Sequence, residues 1–383
     1  VNTHNLASKE GTIKQKIREH GLALGFDKIG FAPAILTDEA PRLLEWLERR
    51  LHGEMQWMLK EPPRRTDANR SFPGTKTVIC CGLNYFQGGA EIHPPDKGVI
   101  SAYARGENYH RVLERKLDAL ASYIRDHFNV ATKTYVDTGP LLEKSFAARA
   151  GLGWLGKHSN LLSRKGSSWF FLGEILVPLE LPPDPPERNH CGSCSRCMTA
   201  CPTDAIIQPY VVDSRLCISY LTIELRGFIP RELRPLIGSR IYGCDDCQDV
   251  CPWNRFAQKS EEAAFFPREP LASMDLIAML RMSRDRFSEA TRASAIRRAR
   301  YAGFLRNVAV ALGNSGDRGA VSALVEALDH PEPLVRGHVA WALGRLGQPK
   351  AIEPLRGHLA AEEVEEVTEE IRWALESLRS MSQ

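Results

Sequence analysis

CGSCSRCMTACP (191–202) and CDDCQDVCP (244–252) are the two stretches that decide how this 383-residue chain is read. The first spaces its thiols as C-x2-C-x2-C-x3-C-P and the second as C-x2-C-x3-C-P. With this spacing a short segment wraps cubane iron–sulfur clusters, and the cysteine before proline reaches on to the neighbouring cluster. Two cubanes take eight thiolates. The runs supply seven, and Cys217 supplies the eighth. The pattern therefore predicts Cys191, Cys194, Cys197 and Cys251 on one 4Fe–4S cluster, with Cys201, Cys217, Cys244 and Cys247 on the other. Paired C-x2-C units also suit a tetrahedral zinc site, but the doubled C-x3-C-P ending argues against it.

There are ten cysteines, and the N-terminus VNTHNLASKE lacks the basic-then-apolar layout of a signal peptide. That combination favours metal or redox work over disulfides. Cys80 and Cys81 lie in the apolar run TKTVICCGLNYF (75–86) and are read as small core residues. Hydrophobic residues make up 43% and charged residues 25%, which excludes wholesale disorder. No apolar run reaches the roughly 18 residues of a membrane helix. The best candidate, WFFLGEILVPLEL (169–181), is broken by Glu174, Pro178 and Glu180. A cytoplasmic monomer with no membrane contact is expected.

Three regions follow from the pattern. Residues 1–180 alternate helical and strand signals, as in an α/β domain. KEGTIKQKIREHGLALG reads as a helix stopped at Gly25, DKIGFAPA as a strand and TDEAPRLLEWLERRLHG as a second helix. GVISAYA is expected to be a strand, YHRVLERKLDALASYIRDHF a long helix, and TKTYVD (132–137) a strand ending at Asp137. Pro140 is expected to open the next helix, where its missing N–H costs nothing. The proline-rich PLELPPDPPERNH (178–190) reads as a stiff linker. It leads into the cluster-binding region, taken as 181–262.

The last region, 263–383, begins Arg-rich and then repeats. AVALGNSGDRGAVSALVEAL (309–328) aligns with AWALGRLGQPKAIEPLRGHL (340–359) at an offset of 31, and IRWALESL (371–378) starts a third copy. That period marks a short HEAT-like helical solenoid. EEVEEVTEE (362–370) is expected on the solvated face of the last helix. Of 50 basic residues, 36 are Arg. Eight of them fall between Arg281 and Arg306 against two acids, a local net of +6 in 26 residues. Arg297, Arg298 and Arg300 are the candidate phosphate contacts.

Two further motifs have plainer readings. GLGWLG (151–156) has the GxGxxG form, but it follows a helical pattern rather than a strand, so it reads as a helix C-cap and turn. Asp137-Thr138-Gly139-Pro140 reads either as a helix N-cap or as a carboxyl at the ligand-binding end of a strand.

YVDTGP (135–140), RAGLGWLGKHSNLL (149–162), the cysteine runs, RLCISYLT (215–222), IYGCDDCQDVCPWN (241–254) and the repeats together resemble the epoxyqueuosine reductase family over essentially the whole chain. The resemblance implies an α+β multidomain architecture. An N-terminal nitroreductase-like α/β cobalamin domain would precede a bacterial-type two-cluster ferredoxin domain and C-terminal HEAT-like repeats. It implies a cobalamin-dependent oxidoreductase that reduces epoxyqueuosine at the wobble position of tRNA to queuosine, the last step of queuosine biosynthesis. Cob(I)alamin would attack an epoxide carbon, and Asp137 would protonate the departing oxygen. Cubane potentials extend to about −700 mV and suit that reduction.

The family match places Arg65, Ser101, Asp137, Lys157, His158, Asn160 and Ser219 around the cobalamin, and Arg226 near the RNA. The implied partners are tRNA carrying epoxyqueuosine and an external low-potential electron donor. The signature D-x-H-x-x-G is absent, so no His is marked as a cobalt ligand. A general acid needs a raised pKa, and burial of Asp137 is expected to outweigh the opposing helix N-terminus. The alternatives are a corrinoid reductive dehalogenase and a non-catalytic iron–sulfur electron-transfer scaffold.

Overall fold

A computed structural model describes residues 3–88, 96–272 and 274–381. Its N-terminal half is built on a four-stranded sheet. Helix α1 (Thr3–Ala23) leads to β1 (Lys28–Pro33), α2 (Glu39–Glu48) and β2 (Thr77–Asn84). Then come β3 (Val99–Ile100), α3 (Tyr109–Phe128), β4 (Lys133–Tyr135) and α4 (Glu143–Arg149). A small hairpin, β5 (Trp154–Leu155) with β6 (Leu161–Leu162), precedes β7 (Phe170–Val177).

The sheet order is β1-β2-β7-β4, and every pairing is antiparallel. The rule that places ligands at the carboxyl ends of parallel strands therefore does not locate a site here. β2 is buried along its entire length, as its β-branched, unbroken apolar sequence requires. Its side chains alternate between two cores. Ile79, Cys81 and Leu83 pack with Ile17 of α1 and Leu113, Leu117 and Leu120 of α3. Val78 and Cys80 face Phe146 and Ala147 of α4 on the other side. Both cysteines are fully buried, as read from the sequence.

Several sequence expectations need correcting. GVISAYA contributes only the two-residue β3, which pairs in parallel with Arg240–Tyr242 rather than joining the main sheet. Pro140 does not open a helix. The chain bends through 136–142 and α4 starts at Glu143, so Asp137 caps nothing. GLGWLG is a helix end and turn, as expected. Gly151 adopts φ +72°, and a Cβ on Gly153 would lie 1.9 Å from Leu162 O across the hairpin.

The linker 178–190 has no regular structure but is pinned. Asp184 accepts from Lys14 Nζ at 2.9 Å, Arg18 Nη2 at 2.7 Å and the Phe31 N–H at 3.0 Å.

The repeats form as their sequence implies. Helices Arg300–Ser315, Pro333–Leu346 and Glu365–Met381 stack in order. Gly316 and Gly347, one offset apart, both end their helices at φ near +68° (69° and 67°). Gly313 and Gly344 both admit the next helix closely: an added Cβ would meet Ala342 Cα at 2.9 Å and Ala374 Cα at 2.7 Å.

One apolar core runs from Ile218–Tyr242 through the repeats to Leu378. Arg306 is buried in it, donating to the carbonyls of Leu221, Leu225 and Gly227, while Asn307 donates to those of Thr222 and Ile241. EEVEEVTEE is solvated only in part. Glu362 pairs with Arg336, and Glu370 forms a buried bidentate pair with Arg234.

Candidate active site and cluster segment

The two cysteine runs each place a single helical turn inside the motif, Arg196–Thr199 and Asp246–Asp249. Cys217 stands immediately before the helix Ile218–Ile223. The thiols' electrostatic neighbours lie both within and across the two expected sets. Cys251 feels Cys191, Cys197 and Cys194, whereas Cys247 feels Cys217, then Asp245, Cys201 and Cys197, and Cys244 feels Cys247. Burial pushes the thiols of Cys217, Cys244 and Cys247 up, so they become thiolates only when iron displaces their protons. Among the described residues no three His, Cys, Asp or Glu side chains converge tightly enough for a single metal ion. A cubane is wider than an ion, so this donor set fits clusters better than zinc.

The bend after β4 presents Asp137 at φ +56°, a left-handed backbone that a non-glycine residue adopts only when its surroundings hold it. Thr138 N–H closes back on Val136 O at 2.5 Å, and the Asp137 N–H donates to Glu143 Oε1. The Asp137 side chain is 59% exposed. Its Oδ2 accepts from the Tyr109 hydroxyl at 2.5 Å and lies 3.5 Å from His110 Nε2. Although the carboxyl is open at the surface, desolvation by the protein packed around it would by itself raise it. Hydrogen bonds from His110 and Tyr109, with the charges of His110 and Lys144, outweigh it and hold Asp137 below its ordinary value. The expectation that burial prevails is not met.

Tyr109 stacks on Phe171 (4.4 Å between ring centres) and meets Tyr103 edge-on, so the donor to Asp137 is itself locked. Tyr103 O–H reaches Tyr242 O–H at 3.3 Å, and Tyr242 O–H donates to Ala295 O at 2.6 Å. Asn108 N–H donates to Ala293 O at 2.6 Å. These contacts bring the Arg-rich segment up against the N-terminus of α3 beside Asp137.

The other expected site residues divide between two places. Arg65 is buried beside the Asp137 bend: its carbonyl accepts from Leu142 N–H, Nη2 donates to Trp57 O at 3.0 Å, and Nε has no partner. Asn160 Oδ1 accepts from Lys144 Nζ at 2.7 Å. Ser219 lies in the helix after Cys217. Ser101 is buried and donates to Asp245 Oδ1, bracing the second cysteine run. Lys157 and His158 instead line the cavity over Cys191, Cys194, Cys197 and Cys251, with His190, Arg196, Trp253 and Arg255. Lys157 Nζ donates to the carbonyls of Gly192 and Cys194. Burial, then the Lys144 charge, pushes His158 down to about 4, so it is neutral.

The Arg-rich segment is less free than its composition suggests. Arg281 pairs with Glu326, Arg284 with Glu332, Arg286 with Glu289 and Arg298 with Glu224. Arg306 is buried. Arg292, Arg297 and Arg300 are exposed, with no ion pair among the described residues. Arg226 donates to Arg298 O at 3.0 Å, which joins that loop to the segment.

The fold and site define a two-cluster iron–sulfur oxidoreductase whose redox segment is fused to helical repeats. Family models match in three stretches: "Epoxyqueuosine reductase QueG, DUF1730" over 65–138, "4Fe-4S double cluster binding domain" over 190–254 and "HEAT repeats" over 284–376. The chain is 45% identical to the epoxyqueuosine reductase of Escherichia coli K12, covering 87% of this chain and 89% of that protein. It is 43% identical to that of Pseudomonas aeruginosa, with coverage of 88% and 95%. A solved epoxyqueuosine reductase bound to an epoxyqueuosine-modified tRNA-Tyr stem loop superposes at TM-score 0.90, with 31% identity over 97% of this chain and all of that one. The Bacillus subtilis enzyme, caught with its catalytic aspartate loop swung out of the active site, superposes at 0.89 with 30% identity over 96% of this chain and all of that one. The chain belongs to the epoxyqueuosine reductase family. It is an oxidoreductase that reduces epoxyqueuosine to queuosine in tRNA and carries two 4Fe–4S clusters.

Sequence reasoning missed Tyr109, His110, Glu143, Lys144 and Glu174. Only Glu174 gave a signal, as a lone acid inside an apolar run.

Proposed function

We propose that Asp137 is the proton donor to the epoxide oxygen and that a cobalamin lies in front of it. The observation that carries this reading is the Asp137 bend: an exposed carboxyl held in a left-handed turn by Tyr109, His110 and Glu143. The donor chemistry around it suits a corrin rimmed with amides. Arg65 Nε is a buried polar nitrogen with no hydrogen-bond partner among the described residues. When bound, a cobalamin would supply the low-valent cobalt nucleophile that opens the ring. Arg65, Ser101, Lys157, His158, Asn160 and Ser219 are proposed to hold it, with Ser101 acting through Asp245 and Lys157 through the cluster loop.

Epoxide plus two electrons and two protons gives alkene plus water. Asp137 releases its proton to the ring oxygen, and Tyr109 and His110 hold the carboxylate left behind. The electrons arrive from outside. The Cys201, Cys217, Cys244 and Cys247 cluster is the inner one, because Lys144 beside Asp137 feels both Cys247 and Cys217. The Cys191, Cys194, Cys197 and Cys251 cluster is the outer one, under a cavity whose rim carries the exposed Arg196 and Arg255. An external low-potential donor delivers electrons there. The RNA lies along Arg226, Arg297, Arg298 and Arg300.

Asp137→Asn tests the assignment. Asn keeps the shape but has no carboxylic proton, and general acid catalysis is worth roughly 100- to 10,000-fold. Single turnover of epoxyqueuosine-containing tRNA should fall within that range, while cobalt and iron contents stay unchanged. Full activity in the Asn variant would remove Asp137 from the role.

A further inference from the structure

Glu174 sits in the middle of β7, paired with Cys80 of β2 on one side and Tyr135 of β4 on the other, and it is fully buried. Among the described residues no donor reaches either of its oxygens. A carboxylate in that position would lack every compensation that burial of charge demands. The group facing it is the carboxyl of Glu143, in the first turn of α4. Two facing carboxyls at hydrogen-bonding range keep one proton between them. Burial first, and then Glu143's charge, raises Glu174 well above the carboxylate range. Burial and the Asp137 charge push Glu143 up to about 8. The other titratable groups bearing on the pair are Lys144, Tyr109, Cys80 and Cys81.

Glu143 has a second contact, since its Oε1 accepts the Asp137 backbone N–H. Glu174 therefore bonds to Glu143, and Glu143 bonds to the one peptide unit whose left-handed turn aims the Asp137 carboxyl. We propose that Glu143, fixed by a proton shared with Glu174, is the positioning residue that holds the Asp137 bend in its catalytic orientation. This rests on the reading of Asp137 as the acid. Both glutamates lie outside the substrate's reach in this role; they act through Asp137. Taking the shared proton away leaves two like charges in a buried site, which loosens the bend.

The test has two readouts on the full chain with clusters loaded. The first is hydrogen–deuterium exchange of a peptide spanning 133–142, which reports the Asp137 amide without any turnover. Losing an accepted hydrogen bond should speed exchange roughly tenfold in Glu143→Ala, whereas Glu143→Gln, which keeps an acceptor oxygen, should stay slow. The second is the pH profile of single turnover. In the wild-type protein the decline of rate with pH that Asp137 sets should steepen into a second, alkaline limb past about 8, where Glu143 gives up the shared proton. Glu174→Gln donates an amide N–H to Glu143 permanently, so it should keep near-normal turnover and lose that alkaline limb. Glu143→Ala should lower kcat by about 100-fold, the scale of an ångström's misplacement, with little change in KM. Unchanged exchange in Glu143→Ala, or an unchanged alkaline limb in Glu174→Gln, overturns the proposal. If Asp137→Asn keeps full activity while exchange in Glu143→Ala still rises, the acid assignment fails and the positioning contact stands.

Discussion

Asp137 is held below its ordinary pKa in the resting protein, yet its proposed task is to give a proton away. The low value has a direct kinetic consequence. Above its pKa, the protonated fraction of a carboxyl drops tenfold per pH unit. Single-turnover rates should therefore rise as pH is lowered from about 8 towards about 5, and Asp137→Asn should be flat over the same range. A flat wild-type profile would show that the proton comes from elsewhere or that bound cofactor lifts the pKa. The same shift bears on folding. A depressed carboxyl stabilises the protein above its unfolded pKa, and that share is lost as pH falls through the lowered folded value.

At the scale of elements, the expected division of the cysteines between two clusters can be tested one thiol at a time. Cys217→Ser should cost one cluster, leaving about four irons per chain, because Cys217 is the thiol that bears most strongly on Cys247 and it also bears on Cys201. Cys81→Ala should leave iron content intact and cost only core packing, since Cys81 points into the α1–α3 core. Iron and sulfide analysis of anaerobically reconstituted protein decides both.

Elements whose side chains repeat with a fixed period were readable in advance. Helix α3 spans Tyr109–Phe128, matching its apolar stripe, and the solenoid offset reappears as paired glycine caps. The bend at Asp137 was not readable. Pro140 carries a strong helix-start signal, but tertiary contacts from Glu143 and Tyr109 hold the preceding residues in a turn, and the helix starts three residues later at Glu143. The buried acid pair was hidden for a similar reason. Glu143 and Glu174 are 31 positions apart in sequence and meet only because β7 lies beside β4.

Over the whole molecule, electrostatics decide how substrate is held. Composition promised a net of +6 between Arg281 and Arg306, but most of that charge is spent on Glu224, Glu289, Glu326 and Glu332 or buried with Arg306. Arg297 and Arg300 remain available beside Arg298 and close to the Tyr242–Ala295 contact at the site. Phosphate contacts release counterions, so affinity for tRNA should fall steeply with salt. Arg297→Ala and Arg300→Ala should each weaken binding and flatten the log–log slope by about 1. Arg284→Ala should do neither, because its charge already answers Glu332. Filter binding across a salt series measures all three, and equal slopes throughout would place the RNA elsewhere.

The five carbonyls gripped by Arg306 and Asn307 also set an order of manufacture. They belong to segments that flank Cys217 and Cys244, two proposed ligands of the inner cluster. A chain still being synthesised has no such grip until residue 307 has left the ribosome, so the inner site is finished late, well after the N-terminal sheet can fold. A chain stopped short of its first repeat would reach the cell with a folded sheet and a half-built redox centre.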